Sequence, residues 1–182
     1  CSLIRRCNLQ PAAGFPKALE VMAAASPTET LTPVDVWQRV LERLVDEPQE
    51  SRAAEVTTPL QTRFRAGARL AAALTLTGRH SLTTDAFGGE VPAVRDLVDP
   101  HEDAQGWAGA REVLKSALFT LGPDKKWRFQ AKHIQEWMSA FGLAQLPLTA
   151  LKPAVCDHRG LPLSAHAAVL ALLRQTTEHA PV

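Results

Sequence analysis

The chain has 182 residues, enough for one domain or two small packed units that bury a core without a metal or disulfides. Twenty Lys and Arg against 19 Asp and Glu leave a formal charge of +1, which removes any global electrostatic reason to bind nucleic acid or anionic lipid and leaves only a localised basic patch to consider. The 46% hydrophobic fraction is dominated by Ala and Leu, aromatics are 5% and Tyr is absent, a composition that favours packed helices.

In chain order, "CSLIRRC" reads as a helical or frayed segment, broken at "PAAGFP" and followed by a short helix, "KALEVMAAA". The chain opens on Cys in mid-segment with no leader-like pattern, so it is expected to be an excised part of a longer protein. After the loop "SPTETLTP", Thr32 as N-cap and Pro33 at the first helical position start a helix with Val36, Trp37, Val40, Leu41 and Leu44 on one face. The polar stretch "EPQESRAAEVTT" leads to Thr58, Pro59 and Gln61, which predict a cap, an N1 proline and a capping-box glutamine for a helix through Thr77, closed by Gly78. Signals weaken from Arg79 to Pro100, where "VPAVRDLV" suggests one short helix.

Trp107, Ala110, Val113, Leu114 and Ala117 are helically spaced from Ala104 to Phe119. Two short apolar runs around Gly122, Pro123 and Asp124 then predict a β-hairpin. "WRFQAKHIQEWMSAFGLAQLP" follows, a strand-like start flowing into a helix that buries Ile134, Trp137, Met138 and Phe141 and ends near Pro147. Short helices about Thr149–Val155 and Ser164–Arg174 finish the chain. The longest apolar run, "ARLAAALTL", is far below the roughly 20 residues of a membrane span. Cys1, Cys7 and Cys156 form no CxxC and no His/Cys pair at metal spacing, so they read as reduced thiols of a cytoplasmic protein.

The order helix, hairpin, helix and three local motifs resemble the second half of the nucleotide-binding module of STAND NTPases, the NACHT and NB-ARC-like signalling ATPases that include bacterial antiphage sensors. "GFPKALEVM" is similar to the family's GxP motif, "RLAAALTLTGR" resembles a segment of its helical domain, and "WRFQAKHIQEWMSA" is similar to its winged-helix signature, with Phe129, Gln135, Glu136 and Ala140 matching. The resemblance implies a mainly α chain. It would comprise an N-terminal segment over 1–30, a helical domain over 31–103, a winged helix with one hairpin over 104–147, and C-terminal helices over 148–182 leading into the rest of the parent. It implies that Gly14 and Pro16 are nucleotide-binding, the proline lying against the adenine of ADP or ATP, which is bound with Mg in the parent rather than by this chain alone. The family's phosphate-sensing histidine would fall at Ala131; His133 lies two residues on, making these two the candidate switch positions. The implied partners are the P-loop ATPase, sensor and effector domains of the same parent, a homo-oligomer on activation, and a phage protein as ligand. The polar loop "DPHEDAQG" would suit rigid-body motion of the winged helix.

Plainer readings stand beside these. Gly14 and Pro16 make a turn unaided. His133 and Glu136 are too few for a metal site and lack the HExxH pattern, so a solvated or helix-start histidine and a glutamate bonded to nearby backbone or an Arg are expected. Trp127, Trp137 and Phe141 read as core. Lys125, Lys126, Arg128 and Lys132 gather about the hairpin, yet the preceding helix carries only Arg111 and Lys115, which argues against a DNA-binding regulator; a structural helical adaptor is the third alternative. There is no GxxxxGK[ST] loop, acid-terminated strand, GxSxG motif or paired nucleophile and base, so the chain alone is expected to be inert, with no catalytic or metal residue.

Overall fold

The structure, a computed structural model, describes residues 16–24, 31–48, 56–84, 91–98, 101, 103–161 and 163–178. Gly14, Cys1, Cys7 and Asp99, Pro100 and Glu102 of "DPHEDAQG" fall outside them, as do the loops on either side of the second helix. Within them the chain is mainly helical with one antiparallel hairpin, as composition and spacing predict.

α1 (Pro16–Ala24) lies antiparallel against α2 (Pro33–Asp46), with Lys17 Nζ 2.8 Å from Glu47 and Arg43 3.9 Å from Glu20. The start of α2 follows the sequence: Thr32 Oγ1 accepts from the Asp35 amide while Asp35 accepts from the Thr32 amide, a reciprocal cap. Val36, Val40, Leu41, Leu44 and Val45 are buried, so the period-3.6 apolar face is the one that packs.

α3 (Leu60–Leu76) is the central helix, packed on α5 (Ala104–Val113) and α6 (Lys132–Leu143). Its C-terminus follows expectation. Gly78 takes φ +65°, its amide donates to Thr75 O and the Arg79 amide to Leu74 O, a Schellman end. Its N-terminus departs from it. Pro59 is the N-cap and Thr58 makes no cap bond; both hydroxyl and amide of Thr58 donate instead to Glu112 on α5. The Glu112 carboxylate is a charged acceptor, so the bonds that turn Thr58 toward α5 are of the stronger kind.

Beyond α3, Leu82 exchanges two 2.8 Å backbone bonds with Trp127, and Thr83 bridges to Ala93 just before the single-turn α4 (Val94–Leu97). β1 (Phe119–Leu121) and β2 (Trp127–Phe129) pair in the register Phe119↔Phe129, Thr120↔Arg128, Leu121↔Trp127. A long helix, a bridging residue, a short helix, a second helix and the hairpin follow one another from Leu60 to Phe129. One cluster of buried apolar residues, from Ala18 to Met138, takes in residues on both sides of the boundary expected at 103/104. α5 is also shorter than its spacing suggested: it stops at Val113, and Leu114 to Leu118 turn back to bring Ser116 against Pro48 and the Ala117 amide onto Glu47 O.

α6 crosses α3 closely. A Cβ on Gly142 would lie 2.3 Å from Ala68 O, so only glycine permits that approach. α7 (Leu148–Val155), a 3₁₀ turn (Ser164–His166) and α8 (Ala167–Glu178) follow. A second apolar cluster, from Ala72 through Leu143 and Val155 to Leu173, holds α8 against α6. Among the described residues no helix is long and apolar enough to cross a membrane.

Candidate functional site

The "WRFQAKHIQEWMSA" segment folds as strand, turn and helix. Phe129 closes β2 with its ring 4.2 Å from Phe119, Ala131 in extended conformation is the N-cap of α6, and the helix runs on from Lys132. Ile134, Trp137 and Met138 enter the core, as their spacing predicts. Ala131 offers no capping side chain, so the first amides of α6 have no local side-chain acceptor.

His133 sits at the helix start, as expected, and is half-buried. Its ring packs edge-on against Trp37 of α2 at 5.3 Å, and Trp37 stacks on Trp137 at 5.6 Å and 21°. Trp137 leads to Phe141, and Phe141 to Phe64 of α3 at 5.7 Å, so one aromatic column joins α2, α6 and α3. Burial lowers the His133 pKa, against a smaller upward pull from Glu136. The ring is thus held neutral at pH 7, in keeping with its indole neighbour. Glu136 lies 3.7 Å from Lys132 one turn earlier, rather than against backbone or an Arg.

Pro16 is exposed at the first position of α1, which its missing amide suits. Its neighbour Lys17 reaches Glu47 at the C-terminal end of α2, whereas His133 touches Trp37 near the N-terminal end. Ten residues of helix separate those two contacts, ~15 Å at 1.5 Å per residue. Pro16 and the Ala131/His133 pair are therefore set at opposite ends of α2 and do not share a pocket.

The hairpin sorts the basic cluster. Arg128 grips Asp124 with two bonds of 2.9 and 2.6 Å, and this guanidinium, chiefly by hydrogen bonding, pulls the Asp124 carboxyl to about pKa 2. Lys125 carries φ 57°, a left-handed conformation that favours glycine. Among the described residues Lys125, Arg111 and Lys115 form no ion pair.

Two further polar sites had no local sequence signal. Glu112 takes four hydrogen bonds of 2.5–3.1 Å from the amides and hydroxyls of Thr57 and Thr58, more than 50 residues away. Its partial burial would raise its pKa, but these donors prevail and bring it to about 2. Arg63, only 5% exposed, donates from Nη1 to Val45 O and from Nη2 to Asp46, both at 2.8 Å, and from Nε to Thr58 O. It thereby satisfies an end carbonyl of α2 and ties α2 to α3. A cavity of about 290 Å³ between α3 and the start of α5 is lined by Thr62, Arg65, Arg69, Asp103, Gln105 and Gln145 among others, with Arg69 3.5 Å from Asp103. Among the described residues no three His, Cys, Asp or Glu side chains cluster as a metal would require.

Comparison with protein-family models, with curated proteins and with solved structures finds no match to this chain.

Proposed function

We propose that the chain is the helical and winged-helix region of a STAND-class NTPase, where it acts as a lid and conformational switch over ADP or ATP held with Mg by the parent's P-loop domain. Activation would release the lid and permit homo-oligomerisation in bacterial antiviral signalling, with a phage protein as trigger and an effector domain as output. The supporting observation is the path of the motif-bearing segment: β2 runs through Ala131 into α6, whose side chains lock onto α2 and α3 through the aromatic column. A switch element needs such a defined seat, because nucleotide and ligand contacts of a few kcal/mol move a population only between discrete packings.

The separation of Pro16 from Ala131 and His133 shapes the reading. A nucleotide would touch one end of α2 or the other in this arrangement, and only the parent's phosphate-binding domain could bridge the two. The test is to purify the parent, denature it and identify released nucleotide by liquid chromatography and mass spectrometry. Near-stoichiometric ADP is the expected result. No nucleotide, together with no binding of added ADP or ATP, would remove the proposal and leave a helical adaptor as the better account.

A further inference from the structure

α3 carries three arginines and no acidic residue, and the fold treats the three in two ways. Arg63 is buried and engaged, bonded to Val45 O, Asp46 and Thr58 O. Arg65 and Arg69 lie one turn apart on the outer side of the helix, and both are exposed. Like charges at that spacing repel, and no carboxylate on α3 offsets them.

Both arginines line the cavity of about 290 Å³ between α3 and the start of α5. Gln105, at the start of α5, and Gln145, just past α6, line it too, with Ala66 and Val98 adding apolar wall. Among the described residues, the side chains of Arg65, Gln105 and Gln145 have no hydrogen-bond or ion-pair partner, so three unengaged polar groups share one cavity. Asp103, the acid among the lining residues, is already committed: one oxygen caps α5 by accepting from the Gly106 amide at 2.7 Å, and the other lies 3.5 Å from Arg69. Two guanidinium groups against one carboxylate leave the cavity positive. A cavity of about 380 Å³ beside α1, α2 and Leu60 makes the contrast. There Asp46 holds Arg63, Arg43 lies 3.9 Å from Glu20 and Glu42 accepts from Gln38, so those charged groups find partners within the chain.

We propose that the cavity between α3 and α5 binds a small organic oxyanion, a carboxylate or a phosphate ester, whose charged end pairs with Arg65 and Arg69 and whose polar remainder bonds to Gln105 and Gln145. A guanidinium presents parallel N–H donors that match two oxygens of either group. Primary amides both donate and accept, so the glutamines take hydroxyl, amino or amide groups alike. The volume is that of about ten water molecules, at the small end of ligand pockets, which suits a metabolite rather than a peptide or polynucleotide. An anion between Arg65 and Arg69 also replaces their mutual repulsion by a shared attraction. The cavity adjoins the carboxyl-terminal end of α6, whereas His133 stands at the other end, ~15 Å of helix away, so the proposal is independent of the nucleotide-switch reading.

The test is nuclear magnetic resonance of the nitrogen-15-labelled 182-residue chain, titrated separately with glutamate and with glycerol phosphate, and with sodium chloride at matched ionic strength. The side-chain amide signals of Gln105 and Gln145 and the Arg65 Nε–H signal should shift saturably, with a dissociation constant of about 1 mM or tighter for at least one probe. The tighter probe identifies the carboxylate or the phosphate as the preferred end group. Arg65→Gln, at an exposed helix position, should melt as the unaltered chain does and bind roughly tenfold more weakly or worse, since a charged hydrogen-bond partner is lost. Arg111→Gln, an equal loss of charge outside the cavity, should bind as before. The proposal is overturned by the absence of saturable shifts with both probes, by equal shifts with chloride, by undiminished binding to Arg65→Gln, or by equal weakening in the two variants.

Discussion

Lys125 and Glu112 show how single residues in this chain are held against their ordinary preferences. Lys125→Gly removes the left-handed penalty and should stabilise the fold by about 0.5–1 kcal/mol, measured as a higher urea midpoint at unchanged slope. Glu112 has the opposite sense, being favoured in its charged form. Its folded pKa of about 2 lies below the ordinary 4.5, so its contribution is complete above pH 4.5 and is lost as pH falls through 2. Glu112→Gln should flatten the stability profile across that window and leave the slope above pH 5 unaltered. An acid-unfolding curve of the variant that retains the original steepness would show that Thr57 and Thr58 do not hold the carboxylate. At this scale the sequence was legible where a residue acts on its near neighbours: the Thr32–Asp35 cap and Gly78 stand as their spacing predicts. It was not legible at Thr58, because the acceptor that draws its hydroxyl away from the helix is 54 positions distant and no local pattern encodes it.

Between elements, the decisive contacts are close approaches of α3 to its partners. Gly142 meets the backbone carbonyl of Ala68, which cannot move without shifting α3, so Gly142→Ala should cost roughly 1–3 kcal/mol by overpacking. Gly67 makes a useful contrast. Its nearest atom to an added Cβ is the Met138 methyl at 2.9 Å, the end of a flexible side chain, and alanine regains up to about 1 kcal/mol of helix propensity. Gly67→Ala should therefore lie near neutral, and thermal melts of the two variants should separate clearly. Equal melting temperatures would mean that the α3–α6 crossing is looser than the Gly142 approach indicates. The helices themselves were legible from apolar spacing. The bridge at Leu82 was not, since one residue that pairs with Trp127 produces no period-2 run. α5 ended early because the backbone leaves the helix to reach Glu47 and Pro48, contacts that its own apolar spacing does not register.

As a whole, the molecule places one core across the boundary that the family resemblance draws at 103/104. Phe64, Ala68, Leu70 and Leu74 of α3 are buried among residues on both sides of it. Residues 31–103 expressed without 104–182 should then show no cooperative transition, having lost the partners of α3, whereas the full chain should unfold with a single transition within the described core. A cooperative melt of the short fragment would restore the boundary. The candidate nucleotide and switch positions were legible only as motif letters; the arrangement of Pro16 and of the Ala131/His133 pair at the two ends of α2 depends on how α1 and α6 pack on it, which no motif states. That packing also brings Trp37 and Trp137 face to face. Two stacked indoles couple their electronic transitions and give a paired-sign signal in ultraviolet circular dichroism that neither gives alone. One of them rides on α2 and the other on α6, so any nucleotide or ligand that parts those helices would announce itself optically, without a label, as the disappearance of that couplet.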